Sequence, residues 1–244
     1  MYRNLAPGYR KQNMVMSPLG VTSSMAMLFL GSRGDTADEL DALLNLDSMI
    51  DFNPHVGFFK FLRYMNQKGR HKTAVCNILF KQADKGEMFS GYHSLIHRFY
   101  RPTIKSHADL TAPNTIQESI NGCMAEASDG DLGSFIGDSE TVPAVDPSLV
   151  TASATFFNGT LSPALDVQPV DVSFLRFPSA LRHFSGVNGI RDLTLGGLLQ
   201  LTEFHLGDGS VLHQYERAFL YAVRHDPTGA ILLMGRYLDP HSFV

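Results

Sequence analysis

Tryptophan is absent from these 244 residues, and cysteine occurs only twice, at Cys76 and Cys123. Two cysteines so far apart fit no metal-ligand or dithiol spacing and cannot form a disulfide-rich scaffold. They are read as two buried thiols, with a disulfide between them as the alternative. Long apolar runs are missing as well. Met25 to Leu30 is apolar but far too short to cross a bilayer, and no membrane role is expected. The first twenty residues hold no apolar stretch of signal-peptide length, so the default expectation is a cytoplasmic protein. Neither sign of charge dominates. With 20 Lys and Arg against 24 Asp and Glu, the net charge is -4 and the pI about 6.2, which gives no basic footprint for nucleic acid. Internal repeats and low-complexity tracts are lacking, and no pattern calls for a cofactor.

What is present is globular composition, 44% hydrophobic and 18% charged. Ser17-Pro18 opens a helix with Val21, Met25, Leu28 and Phe29 on one face, and Gly31 and Gly34 end it. Asp35-Thr36 is the expected cap of a second helix through Leu40, Leu43 and Leu44. A third is expected from Pro54 to Gln67, with Val56, Phe59 and Leu62 inward and a basic side formed by Lys60, Arg63 and Lys68. Thr73 to Lys81 reads as a strand, Met88 to Phe99 and Pro113 to Ala127 as helices, and Leu149 to Phe157 as a buried strand. Val170 to Phe177 alternates like a strand. Ala180 to Leu193 is weakly helical or irregular, and Leu198 to Leu206 is strand-like. Phe219 to Val223 and Ala230 to Tyr237 form a hairpin through Asp226-Pro227-Thr228-Gly229. Helices and strands mix without regular alternation, so the class is α+β.

Two stretches carry a family resemblance. Asn13 to Leu46, NMVMSPLGVTSSMAMLFLGSRGDTADELDALLNL, is similar to the serpin segment that runs from a short strand through two helices. The C-terminal ERAFLYAVRHDPTGAILLMGRYLDP resembles the serpin signature in its Phe219 strand, its Pro227 to Gly229 turn and its Met234-Gly235-Arg236 ending. Ile120-Asn121, Gly130-Asp131-Leu132 and Phe156-Phe157-Asn158-Gly159 agree more weakly. The short start, lacking most of the family's first helix, resembles shortened poxviral (myxoma-type) serpins.

The resemblance implies one serpin-like domain over 1–244, with 1–161 carrying N-terminal helices and sheet A strands and 170–244 the residual strands and hairpin. Helices would pack on a large mixed sheet A, beside a C-terminal hairpin of sheet B. A block of strands and helices between Leu161 and Val170 is missing, and sheet C and the reactive loop would be largely missing from the fold. Ser17, Pro18, Phe219, Pro227, Gly229 and Gly235 occupy signature positions. Ser153 and Leu161 stand where the family usually has Asn and Trp. Cys123 stands where another Trp is usual, Leu198 where a His is usual, and Ala218 in place of a Pro.

Inhibitory serpins present a long loop that is cut and then inserts as an extra strand in the main sheet. Here the hinge reads Leu206-Gly207-Asp208-Gly209-Ser210, followed only by Val211 to Glu216. Six extended residues span about 20 Å, enough to close a gap but not to display a bait and also insert. Gly209, Ser210, Val211, Leu212, His213 and Gln214 therefore form a remnant loop without an assignable reactive bond. No catalytic constellation can be assembled, and the chain is not expected to be an enzyme.

The other candidates have plainer readings. His93 and His97 share a helix face at i,i+4 but lack an acidic partner motif, and are read as ordinary histidines. Ser17 lacks a Gly-x-Ser-x-Gly context and is read as a helix cap or buried hydrogen-bonding serine. Asp208 and Asp226 sit in turns. Asn158 heads a glycosylation sequon that matters only if the chain is secreted. Lys60, Arg63 and Lys68 lie on the helix that binds polyanions in some serpins, and are read as a solvated face.

The expected function is a non-inhibitory interaction protein, a viral modulator of host defence acting in host cytoplasm by default, with an extracellular site as the alternative because many serpins are secreted. Its partner would be a protein, either a host protease or another host-defence protein. The alternatives are a serine or cysteine protease inhibitor using the remnant loop, and a decayed, poorly folded remnant. Self-association would cover strand edges exposed by the missing block.

Overall fold

The computed structural model describes residues 13–46, 53–66, 72–110, 113–128, 130, 148–159, 170–175, 183–191, 193–206, 219–225 and 227–238. Its strands are β1 (Met14–Met16), β2 (Lys72–Gln82), β3 (Thr103–His107), β4 (Leu149–Gly159), β5 (Val170–Leu175), β6 (Leu195–Leu206), β7 (Phe219–His225) and β8 (Ala230–Tyr237). Its helices are α1 (Pro18–Phe29), α2 (Asp35–Leu44), α3 (Pro54–Met65), α4 (Ser90–Phe99), α5 (Pro113–Ala127) and α6 (Ser185–Asn188). Five strands form a mixed sheet in the order β3-β2-β4-β6-β5, and three form a smaller antiparallel sheet in the order β1-β8-β7. The α+β architecture follows the expectation, including the hairpin strand at Ala230–Tyr237 and the helix at Pro113–Ala127.

Alternation along the strands divides the large sheet into two faces. Ala74, Cys76, Ile78 and Phe80 of β2, with Val150, Ala152, Ala154 and Phe156 of β4, face α5. They bury Ile116, Ile120 and Met124 in one apolar cluster. The opposite face meets α1 and α3. Val75, Leu79 and Leu149 join Met27, Leu28, Leu62 and Met65 there.

Ser17 binds the two sheets' supports together. Its Oγ accepts from Gly20 N at 3.1 Å, capping α1, and donates to Leu232 O of β8 at 2.9 Å. Both expected roles, cap and buried hydrogen-bonding serine, are filled by one hydroxyl, and Pro18 stands in the first turn where its missing N–H costs nothing. Gly235 permits the close packing of β8. A Cβ there would lie within 2.5 Å of the Tyr221 hydroxyl and closer still to Met14 O. Gly229 turns the hairpin with φ +72.

Four details depart from the sequence expectations. Asp35-Thr36 does not cap α2; the N-cap is Gly34 at φ 54 with no side-chain bond, while Asp35 and Asp38 sit in the first turn where the helix dipole favours them. Val56 and Phe59 are only half-buried on α3, and His55 turns inward with Leu62 and Met65. The short strand β3 is an additional element. Its residues are partly exposed and lack the apolar alternation that announces a strand.

The fourth concerns the cysteines. They are not two thiols but a disulfide, with Cα atoms 6.2 Å apart. A sequence separation of 47 gives no spacing signal, and only the passage of α5 across β2 brings the pair within bridging distance.

Candidate functional site

The middle of the large sheet is a seam between two parallel strands. β4 and β6 are paired from Leu149 to Gly159 along their whole length, and both have further neighbours outside, β2 and β5. Beneath this seam the face toward α1 is polar. Asn77 of β2, Thr151, Ser153 and Thr155 of β4, and Gln200 and Thr202 of β6 are all buried. Register places Ser153 beside Asn77 and Gln200, and Thr155 beside Thr202.

α1 lies close against this stripe because it presents small residues. A Cβ on Gly20 would stand 2.6 Å from Ser153 Oγ and 3.2 Å from Thr155 Oγ1. Ser23 Oγ lies 3.1 Å from Asn77 Oδ1 and 2.9 Å from Gly20 O. Thr151 Oγ1 donates to Ile78 O at 3.1 Å, and Gln200 Nε2 donates to Thr202 Oγ1. The hydroxyls of Ser24, Ser153 and Thr155 are buried with no hydrogen-bond partner. Most buried polar groups are paired, so the two orphan hydroxyls of β4 beneath Gly20 mark a weak seam between helix and sheet. Leu198, at the end of the stripe, packs instead on Val21 and Met25.

The seam ends where β6 leads toward β7. Twelve residues connect Leu206 to Phe219. The remnant-loop positions Gly209, Ser210, Val211, Leu212, His213 and Gln214 fall in this connection and lie outside the described residues.

The remaining candidates are scattered. His93 and His97 are exposed on α4 with rings 6.1 Å apart, and no group of three His, Cys, Asp or Glu among the described residues could hold a metal. Lys60 and Arg63 are exposed on α3 but look toward different hollows. Lys60 borders an apolar groove with Phe61, Tyr64 and His225, and Arg63 borders a cavity above the disulfide. Lys68 lies outside the described residues. Asn158 sits in β4, between Lys72 of β2 and His205 of β6, and not on the surface loop that a glycosylated sequon prefers. Pro227 is exposed in the hairpin turn and Phe219 begins β7.

One buried ionisable group escaped the sequence reading. His55 Nδ1 lies 2.5 Å from Tyr100 Oη, among the rings of Phe29, Phe99 and Tyr100. Burial lowers its pKa below the ordinary 6.5 and raises that of Tyr100. Its only sequence signal was a histidine directly after Pro54, at a helix start. The polar seam was foreshadowed only by the small, β-forming residues of 149–157.

The profile of the family described as "Serpin (serine protease inhibitor)" matches residues 1–173. The chain belongs to the serpin family. Similar relatives include Serpin B6 of Bos taurus, 25% identical over 162 residues that cover 65% of this chain and 42% of that protein. Leukocyte elastase inhibitor of Bos taurus is 28% identical over 60% of this chain and 38% of its own length. The matched segments thus span about two-fifths of these serpins. Among solved structures, a tumour-suppressing serpin superposes with a TM-score of 0.73 at 13% identity, covering 98% of this chain and 96% of that one. Native protease nexin-1, solved with heparin, gives 0.70 at 15% identity, covering 98% of this chain and 96% of that one. These likenesses establish a truncated serpin fold.

Proposed function

We propose that this serpin acts by binding a protein partner and does not trap proteases. The observation that carries this reading is the shortness of the β6–β7 connection. A strand inserted beside β4 along its eleven residues would use all but one of the twelve residues between Leu206 and Phe219. The one residue left is too little for the reversal at the end of β6 and a displayed bait. A role in modulating host defence, suggested by the poxviral-type start, draws no support from the mammalian relatives above.

A second reading, inhibition through the remnant loop, is favoured by the polar seam. The unpartnered hydroxyls of Ser153 and Thr155 lower the cohesion between α1 and the strands that would have to part. The two readings separate on the consequence of a cut. A protease that nicks the chain within 207–218 leaves the melting temperature unchanged or lower if no strand inserts. A marked rise after nicking would mean that the loop enters the sheet and would favour the inhibitory reading. Polyanion binding by Lys60 and Arg63 is a minor extension, checked by heparin affinity of a Lys60→Gln, Arg63→Gln variant.

A further inference from the structure

The disulfide lies where the buried strand β2 borders a cavity. β3 pairs with β2 only from Ile78 to Gln82. Over Thr73 to Asn77 the same edge of β2 has no strand beside it among the described residues. Asn66 fills part of the gap, its side chain accepting from Val75 N at 2.9 Å and donating to Val75 O at 3.0 Å. What remains is a solvent-open cavity of about 520 Å³ between α3, β2, β3 and α5. Cys76 and Cys123 both line it, together with Arg63, Arg101 and Glu126.

The two sulfurs differ. Cys76 is 3% exposed and packs with the α5-facing cluster, whereas Cys123 is only partly buried. Thr103 Oγ1 lies 3.6 Å from Cys123 Sγ. Two arginines against one glutamate make the cavity net positive, which draws in an anionic thiol and favours its thiolate.

We propose that the Cys76–Cys123 bond is a thiol-exchange site for small anionic thiols of the glutathione class, and that exchange releases α5 from β2. The incoming thiolate attacks Cys123 Sγ and forms a mixed disulfide there. Cys76 leaves as a thiolate and takes a proton from solvent. A second thiolate attacks the small-molecule sulfur of the mixed disulfide, returning Cys123 as a thiol and releasing the small-molecule disulfide. Two electrons pass to the protein for each pair of thiols oxidised. α5 then loses its covalent tie to β2, keeps the packing of Ile116, Ile120 and Met124, and its C-terminal half loosens.

The test treats the native protein with reduced glutathione without denaturant, traps free thiols with a maleimide and maps them by mass spectrometry. The expected result is reduction of the folded protein, with the glutathione adduct on Cys123. Amide exchange should then rise in 120–128 but not in the β7–β8 hairpin. An Arg63→Gln, Arg101→Gln variant, changed only at exposed side chains, should react more slowly with glutathione but not with neutral mercaptoethanol. Reduction only at the rate of global unfolding, an adduct on Cys76, or equal slowing with both thiols would each overturn the proposal. The wild-type arm stands even if the variant does not fold.

Discussion

Ser153 and Thr155 each bury a hydroxyl that bonds to nothing. A buried unsatisfied polar group costs about 1–3 kcal/mol, so Ser153→Ala and Thr155→Val should each stabilise the fold by about 1 kcal/mol in urea denaturation. Loss of stability in both would mean that the hydroxyls are satisfied in solution. Ser17 is the opposite case, because its hydroxyl serves two partners. Ser17→Ala should cost about 1–3 kcal/mol through loss of the cap and an orphaned Leu232 carbonyl. His55 supplies a pH dependence. Its folded pKa lies below the unfolded value because burial disfavours the imidazolium. The unfolded chain therefore binds more protons between the two values, and stability, complete above about pH 6.5, falls as pH drops through that window. His55→Gln should flatten this part of the profile; an unchanged slope would assign it to other groups.

At the scale of elements, α1 and the seam form the most specific contact. Gly20→Ala gains helix propensity but drives a methyl toward Ser153 Oγ, and should cost about 1–3 kcal/mol overall. Combining it with Ser153→Ala should recover more than half of the loss. Strict additivity in that double-mutant cycle would show that the contact is not made. Much of this scale was legible in the sequence. Pro113 and the apolar spacing of Ile116, Ile120 and Met124 announce α5, and Pro227 to Gly229 announces the hairpin. β3 was hidden because a short edge strand with half-exposed residues has no apolar alternation. The polar seam was hidden although 149–157 reads as a buried strand: Ser and Thr do not show which face they take until the register places them under α1. His55 was obscured by its polarity, and the disulfide by the sequence separation of 47 between its ends.

For the molecule as a whole, the two faces of the large sheet are covered by α5 on one side and by α1 and α3 on the other, each with a buried apolar cluster. Such a core is expected to unfold in one cooperative transition, followed by circular dichroism and calorimetry together. A broad, non-coincident melt would favour the decayed remnant that the missing block suggested. Family membership by itself decides neither partner nor mechanism, since fold and function separate readily. The count of residues between β6 and β7 bears on mechanism more directly than any likeness to a named inhibitor. The most direct measurement of that claim is to incubate the purified protein with a panel of serine and cysteine proteases and resolve the products on denaturing gels. Cleavage within 207–218 or no reaction at all is the expected result, whereas a band at the summed mass that survives SDS would contradict it.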